Sequence, residues 1–171
     1  MFLGHDTELN LQAAVDLVNI AERSDPSTEL AQINAWRIKY HCTAEPDDLR
    51  RIQPLLRELL TASLERVATL VNDILADAHV VPQLVRHDDN GWHLHAIPGD
   101  ERPMRRIVVR TAVALADLVC GGEIARLAVC ADTACTCLLI DLSRNRSRRF
   151  CGTNCSNRNA VAAYRMRKRK A

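Results

Sequence analysis

Apolar residues recur at helical spacing over most of this chain. Between Leu9 and Glu22, the positions Leu11, Ala14, Val15, Val18 and Ala21 lie three or four apart and predict one amphipathic helix. The first eight residues look poorly constrained. Ser24-Asp25-Pro26-Ser27 breaks the pattern, and Ser27 or Thr28 is the expected cap of a second helix running to about His41. Leu30, Ile33, Trp36 and Ile38 should face inward on it. Thr43-Ala44-Glu45-Pro46-Asp47-Asp48 sets a proline in the first turn and acids at the positive end of a helix dipole. The third helix should therefore begin there and reach about Leu60, kinked or interrupted at Pro54. A fourth spans about Ser63 to Ala78 on Leu64, Val67, Leu70, Val71, Ile74 and Leu75. It and the third could also form one bent helix.

From Pro82 to Ile97 the helical period is lost. Gln83-Leu84-Val85-Arg86-His87 and Trp92-His93-Leu94-His95-Ala96 flank Asp88-Asp89-Asn90-Gly91, and Asn-Gly between two short runs predicts a hairpin. His93 and His95 share a face, near His87. A second metal site there lacks a clear third ligand, so exposed strand histidines are the better reading. After Asp100-Glu101-Arg102-Pro103 a fifth helix runs from Met104 to Cys120, with Val108, Ala112, Leu115, Ala116 and Val119 as its core face. Gly121-Gly122 ends it. Glu123 to Leu127 should be one short helical turn. The glycine pair is the natural boundary between a helical body, 1–122, and a smaller module, 123–171.

Composition supports this outline. The chain has 171 residues, of which 47% are apolar and only 4% aromatic, enough for a core built mainly of helices. No apolar run is long enough to span a membrane and no repeat is evident. Residues 1–120 hold no Walker loop, dinucleotide fingerprint or nucleophile motif, so no enzyme is expected. The acids Glu8, Asp16, Glu22, Glu58, Glu65, Asp73 and Asp77 fall at helix-surface spacing. Cys42 reads as a buried thiol, since nothing nearby would lower its pKa.

Charge divides the chain sharply. From Arg144 onward there are ten Lys or Arg and no Asp or Glu, whereas the first 143 residues hold thirteen basic and twenty-one acidic groups. A basic arm on an acidic body is the pattern of a nucleic-acid binder. Arg144, Arg146, Arg148 and Arg149 fall in one cluster, and Arg158, Arg165, Arg167, Lys168, Arg169 and Lys170 in another. Val161 and Tyr164 are placed to pack the last helix on the module. Arg158, Arg165 and Arg169 would share a face that could lie along a major groove. A membrane surface fits less well, because this helix lacks a large aromatic or leucine face.

The most specific signal overlaps that arm. Cys130 and Cys135 form a C-x4-C pair and Cys151 and Cys155 a C-x3-C pair, fifteen residues apart. Two close pairs around a short insert suit one tetrahedral zinc ion. With no secretory signal, the chain is expected in the cytoplasm, where thiols stay reduced and disulfides are disfavoured. Cys137 could replace Cys135 as ligand, although a small hydrophobe opening the strand Cys137–Ile140 is the simpler account. The insert looks like a hairpin: Leu138-Leu139-Ile140 out, Arg148-Arg149-Phe150 back. A helix should follow Cys155, capped by Ser156 or Asn157. Four thiolates leave zinc no open position, which argues against a zinc hydrolase. The fold class expected is mainly α: a helical body with one β-hairpin, then a treble-clef-like zinc module of knuckle, hairpin and helix.

Asp141, Ser143, Asn145, Ser147, Arg148, Arg149, Phe150, Cys151, Cys155, Asn157 and Arg158 fall on a pattern that resembles the bacterial CGNR zinc-finger family, whose members carry an N-terminal ABATE domain. Ser156 stands where the family has glycine, and the last two cysteines are separated by three residues where four is common. The resemblance implies a stress-linked transcriptional regulator with a zinc-dependent DNA-binding tail. The reading is thus a DNA-binding regulator holding one structural zinc, with a zinc-stapled module for RNA or an acidic protein as the alternative. A lone finger has a small footprint, so specificity would call for a homodimer or a companion protein.

Overall fold

The computed structural model describes residues 4–85, 93–95 and 101–170, with the backbone alone for 93–95 and Lys170. Four helices come first: α1 (His5–Arg23), α2 (Pro26–Lys39), α3 (Pro46–Thr61) and α4 (Leu64–Asp77). Strands β1 (Gln83–Val85) and β2 (His93–His95) pair antiparallel, with Leu84 opposite Leu94. Helix α5 (Pro103–Cys120) leads through a 3-10 turn (Ile124–Arg126) into strand β3 (Leu127–Val129). Strand β4 (Leu138–Ile140) and helix α6 (Thr153–Lys170) follow. The hairpin between 83 and 95 is therefore as expected; its Asp88–Gly91 turn and His87 lie outside the described residues.

Helix α1 is the axis of the body. It packs on α2, α3, α5 and β4, and its Leu11, Ala14, Val15, Leu17 and Val18 are almost wholly buried. It begins at His5, earlier than the weak constraint expected of the first eight residues, because Thr7 is buried and its hydroxyl donates to Asp117 of α5 at 2.6 Å. Helix α2 is capped by Asp25, whose carboxylate accepts from the Ser27 and Thr28 amides, so neither expected cap is the actual one. Ile33 and Trp36 face α1, and the Trp36 indole donates to the Ala13 carbonyl at 2.9 Å. Leu30 and Ile38 are instead exposed. Ile33 and Trp36 are the buried residues of α2, and Lys39 at its end pairs with Asp16 of α1 at 2.7 Å.

Helix α3 continues through Pro54 without interruption, and Ser63 separates it from α4 by capping the Arg66 amide. In α5 the inward face is Val109, Ala112, Leu115 and Leu118, while Val108, Ala116 and Val119 are only half-buried. The buried stripe is thus turned by about one residue from the expected one, because α5 is packed from two sides, by α1 and by α4. The glycine stop is as expected. Gly122 takes φ of +65°, and the Glu123 amide closes back on the Leu118 carbonyl at 2.8 Å.

The module is not a separate bead. Leu138 and Ile140 of β4 belong to the same core as α1, α3 and α5. The Asn19 side chain lies against β4 like an extra strand: its amide donates to the Leu138 carbonyl at 2.8 Å and its oxygen accepts from the Leu138 amide at 2.7 Å. All four groups are buried. Replacing Asn19 with Ala should cost about 2–4 kcal/mol, since two buried backbone groups lose their partners. Urea denaturation of zinc-loaded protein would measure this, with an exposed Asn72→Ala variant as reference.

Candidate metal centre

The second predicted hairpin is corrected by the structure. Strand β4 pairs antiparallel with β3, upstream of the knuckle, and not with Arg148-Arg149-Phe150. The physical reason is Asp141. Its carboxylate accepts from the Ser143 amide at 2.8 Å and the Arg148 amide at 2.7 Å, which curls residues 141–148 into a loop. Arg146, with φ of +49°, turns that loop, and its guanidinium reaches Glu123. Buried Glu123 also pairs with buried Arg126, which donates onward to the Asp141 carbonyl at 2.7 Å. The returning segment then docks on the knuckle, where the Ala131 amide meets the Arg149 carbonyl at 2.9 Å.

This path brings four sulfurs together. Cys130 leaves the end of β3, its amide bonded to the Cys137 carbonyl at 2.8 Å. Asp132 shapes the knuckle: its side chain accepts from the Ala134 amide and its carbonyl from the Cys135 amide. Cys151 ends the returning loop. Helix α6 begins at Thr153, earlier than the Ser156 or Asn157 cap would require, so Cys155 sits in its first turn, where the helix dipole favours a thiolate. The Cys130, Cys135, Cys151 and Cys155 sulfurs all lie within 4.8 Å of one another. Cys135 and Cys151 are 3.6 Å apart, Cys151 and Cys155 3.8 Å. Zn–S bonds of about 2.3 Å in a tetrahedron put sulfurs roughly 3.8 Å apart. Donor chemistry and spacing therefore both fit zinc.

Cys137 is outside the cluster. It is buried, and its sulfur accepts from the Arg23 Nε of α1 at 3.2 Å. Its role is thus a junction to the body as well as a space-filler. Around it, Arg57 of α3 donates to the Thr136 carbonyl at 3.0 Å, and Thr136 bonds Glu22 of α1. All seven cysteines are free of disulfides; Cys42 is half-buried against the helical core.

Hydrogen-bond donors point at two of the sulfurs. The Cys151 amide points at the Cys130 sulfur at 3.4 Å. Arg158, one turn beyond Cys155, donates to its sulfur at 3.6 Å and pairs with Asp132 at 2.6 Å. This contact links the two ligand pairs. Among the residues that sequence reasoning passed over, Asp132 is the most consequential; an Asp two positions after the first cysteine was its signal. Hydrogen bonds from the Ala134 amide and Arg158 hold the Asp132 carboxyl below the usual range. Without a cation, burial and the neighbouring sulfurs push Cys155 and Cys151 up. Burial also acts on Cys135, but hydrogen bonds from Cys137, Cys151 and Cys155 outweigh it and bring it down to about 7.

Not every basic residue of the arm is available to a partner. Arg158 is held by Asp132 and Arg146 by Glu123, while Arg148 donates to the Phe150 and Cys151 carbonyls. Arg144, Arg149, Arg165, Arg167, Lys168 and Arg169 are exposed, with no acidic partner among the described residues. Val161 and Tyr164 do not pack on the module; they are exposed, like all of α6 from Ala160 to Arg169.

Two family models match the chain with this geometry. One is described as "CGNR zinc finger" and covers residues 126–168. The other is the ABATE domain, described as "Putative stress-induced transcription regulator", and covers residues 11–122. The chain belongs to the ABATE family and carries a C-terminal CGNR zinc finger. A search of curated proteins finds no match. No helix among the described residues is long and apolar enough to cross a membrane.

Zinc must displace protons from Cys151 and Cys155, whose thiols are pushed above 9.0, so its affinity should fall with pH over the whole range below that value, and more steeply below about 7, where Cys135 also holds its proton. Competition with a chromophoric chelator across pH 5.5–8 would measure that, roughly, for the wild type. Arg158→Gln should weaken zinc about 10–100-fold, the usual effect of losing a ligand's supporting partner. Asp141 adds a separate acid dependence. Burial raises its pKa, but hydrogen bonds from Ser143 and Arg148 outweigh that and leave it below 3.8. Its stabilisation is therefore present above pH 3.8 and is lost as pH falls through the lower folded value. Asp141→Asn should flatten the acid limb of the melting curve.

Proposed function

We propose that this protein is a transcriptional regulator that binds DNA through α6 and the loop before it, with zinc as a structural ion. The observation that carries this reading is the outer half of α6. From Ala160 to Arg169 it is exposed, and its Arg165, Arg167, Lys168 and Arg169 meet no acidic partner among the described residues. Cations left without an internal counter-charge favour a polyanion, and release of its counterions drives binding. Arg165 and Arg169, four apart, share one face of the helix. Val161 and Tyr164 add exposed apolar contact beside them. Arg144 and Arg149 extend the charge onto the loop, whereas Arg146 and Arg158 serve the finger itself in this reading. The family description, which names a transcription regulator, supports the same function.

The zinc assigned here is not hydrolytic, because four thiolates leave no coordination position for water. No enzyme activity is assigned, and the reading carries with it a cytoplasmic location.

The test is a genomic-fragment selection with zinc-loaded protein at low and near-physiological salt, followed by anisotropy titrations. About five phosphate contacts should give a slope of log K against log salt near −4 to −5. Replacing Arg165, Arg167, Lys168 and Arg169 with Ala should flatten the slope by about 3 to 4 units while zinc content and melting stay unchanged. Preference for structured RNA over duplex DNA in competition would overturn the DNA assignment in favour of an RNA partner.

A further inference from the structure

Helices α3, α4 and α5 line an open cleft of about 420 Å³ that neither the zinc centre nor α6 uses. That volume is in the range of small-molecule pockets. Its floor is apolar: Ile52 and Leu55 of α3, Ile74 of α4, and Met104, Val108 and Val109 of α5. Its polar groups are Asp73 and Asp77, one helical turn apart on α4, and Arg105 of α5.

These charges are not balanced. Arg105 donates to the Asp77 backbone carbonyl at 2.8 Å and stands 3.9 Å from its carboxylate. Asp73 has no hydrogen bond or ion pair to any described residue. The lining thus presents two carboxylates against one guanidinium that is already engaged. An anion entering here would lie beside both acids. Arg105 Nε is buried without an acceptor, a donor that a neutral oxygen on the ligand would satisfy. We propose that this cleft binds a lipophilic cation: an apolar body bearing an ammonium, quaternary ammonium or phosphonium centre. The body lies on Ile52, Ile74, Met104 and Val108, and the positive centre sits beside Asp73, with Asp77 one turn away. Apolar burial supplies the attraction and the carboxylates select the sign of charge.

Methyl NMR of zinc-loaded, full-length protein tests this, because the Met104, Ile52 and Ile74 methyl groups report on the cleft alone and not on the basic arm. Tetraphenylphosphonium and tetraphenylborate have nearly the same shape and opposite charge. The phosphonium should shift these methyl signals saturably, at least about tenfold more tightly than the borate, and more weakly as salt rises. In an Asp73→Asn, Asp77→Asn double variant the preference should fall by about tenfold. Both positions are solvent-exposed, so folding is not at stake, and an unchanged melting curve checks it. Equal affinity for the two ions, an undiminished preference in the double variant, or no saturable shift with the phosphonium would each overturn the proposal.

Discussion

Four cysteine sulfurs within 4.8 Å of one another are the constraint on which the C-terminal third depends. Four thiolates cannot sit so close without a cation between them, and four thiols would leave the loops without a common anchor. Each local feature of the module meets this need. The β3–β4 pairing delivers Cys130, the Asp132 turn delivers Cys135, the Asp141 loop brings Cys151 back, and the first turn of α6 presents Cys155. Arg158 then ties the helix to the knuckle through Asp132. Most residues that carry the CGNR resemblance are therefore accounted for inside the finger, as ligands, turn formers or supporting charges.

The same arrangement joins the finger to the body. Strand β4 supplies Leu138 and Ile140 to the body's core, and Asn19 bonds its backbone on both sides. Between Cys135 of the cysteine cluster and that strand, Thr136 and Cys137 are held by Glu22, Arg23 and Arg57. Metal binding and body packing thus act on one stretch of six residues. A finger that shared only a linker with the helices would have no such contact.

The basic arm divides into two kinds of cation. Near the metal, Arg146, Arg148 and Arg158 are spent on Glu123, on carbonyls and on Asp132. Farther along α6, Arg165, Arg167, Lys168 and Arg169 are exposed and meet no acidic partner among the described residues. Charge counting alone treats all of them as one patch, whereas the fold assigns the first group to architecture and leaves the second exposed.

The helical periods, the helix start near Ser63, the stop at Gly122, the hairpin after Pro82 and the close spacing of the four cysteines were all legible in the sequence. Each follows from short-range chemistry: spacing on one helix, the φ a residue tolerates, or two cysteines in one turn. The tertiary structure decided what depends on distant neighbours. It turned the buried face of α5 toward both α1 and α4, left Leu30 and Ile38 in solvent, and exposed Val161 and Tyr164. It paired β4 with β3, because the Asp141 carboxylate captured the backbone that would have formed the other ladder. It gave Cys137 to Arg23, and Arg158 to Asp132, twenty-six residues away. Local rules specify which elements a chain can form; which surfaces are buried, and which charges remain free, depends on what each element meets after folding.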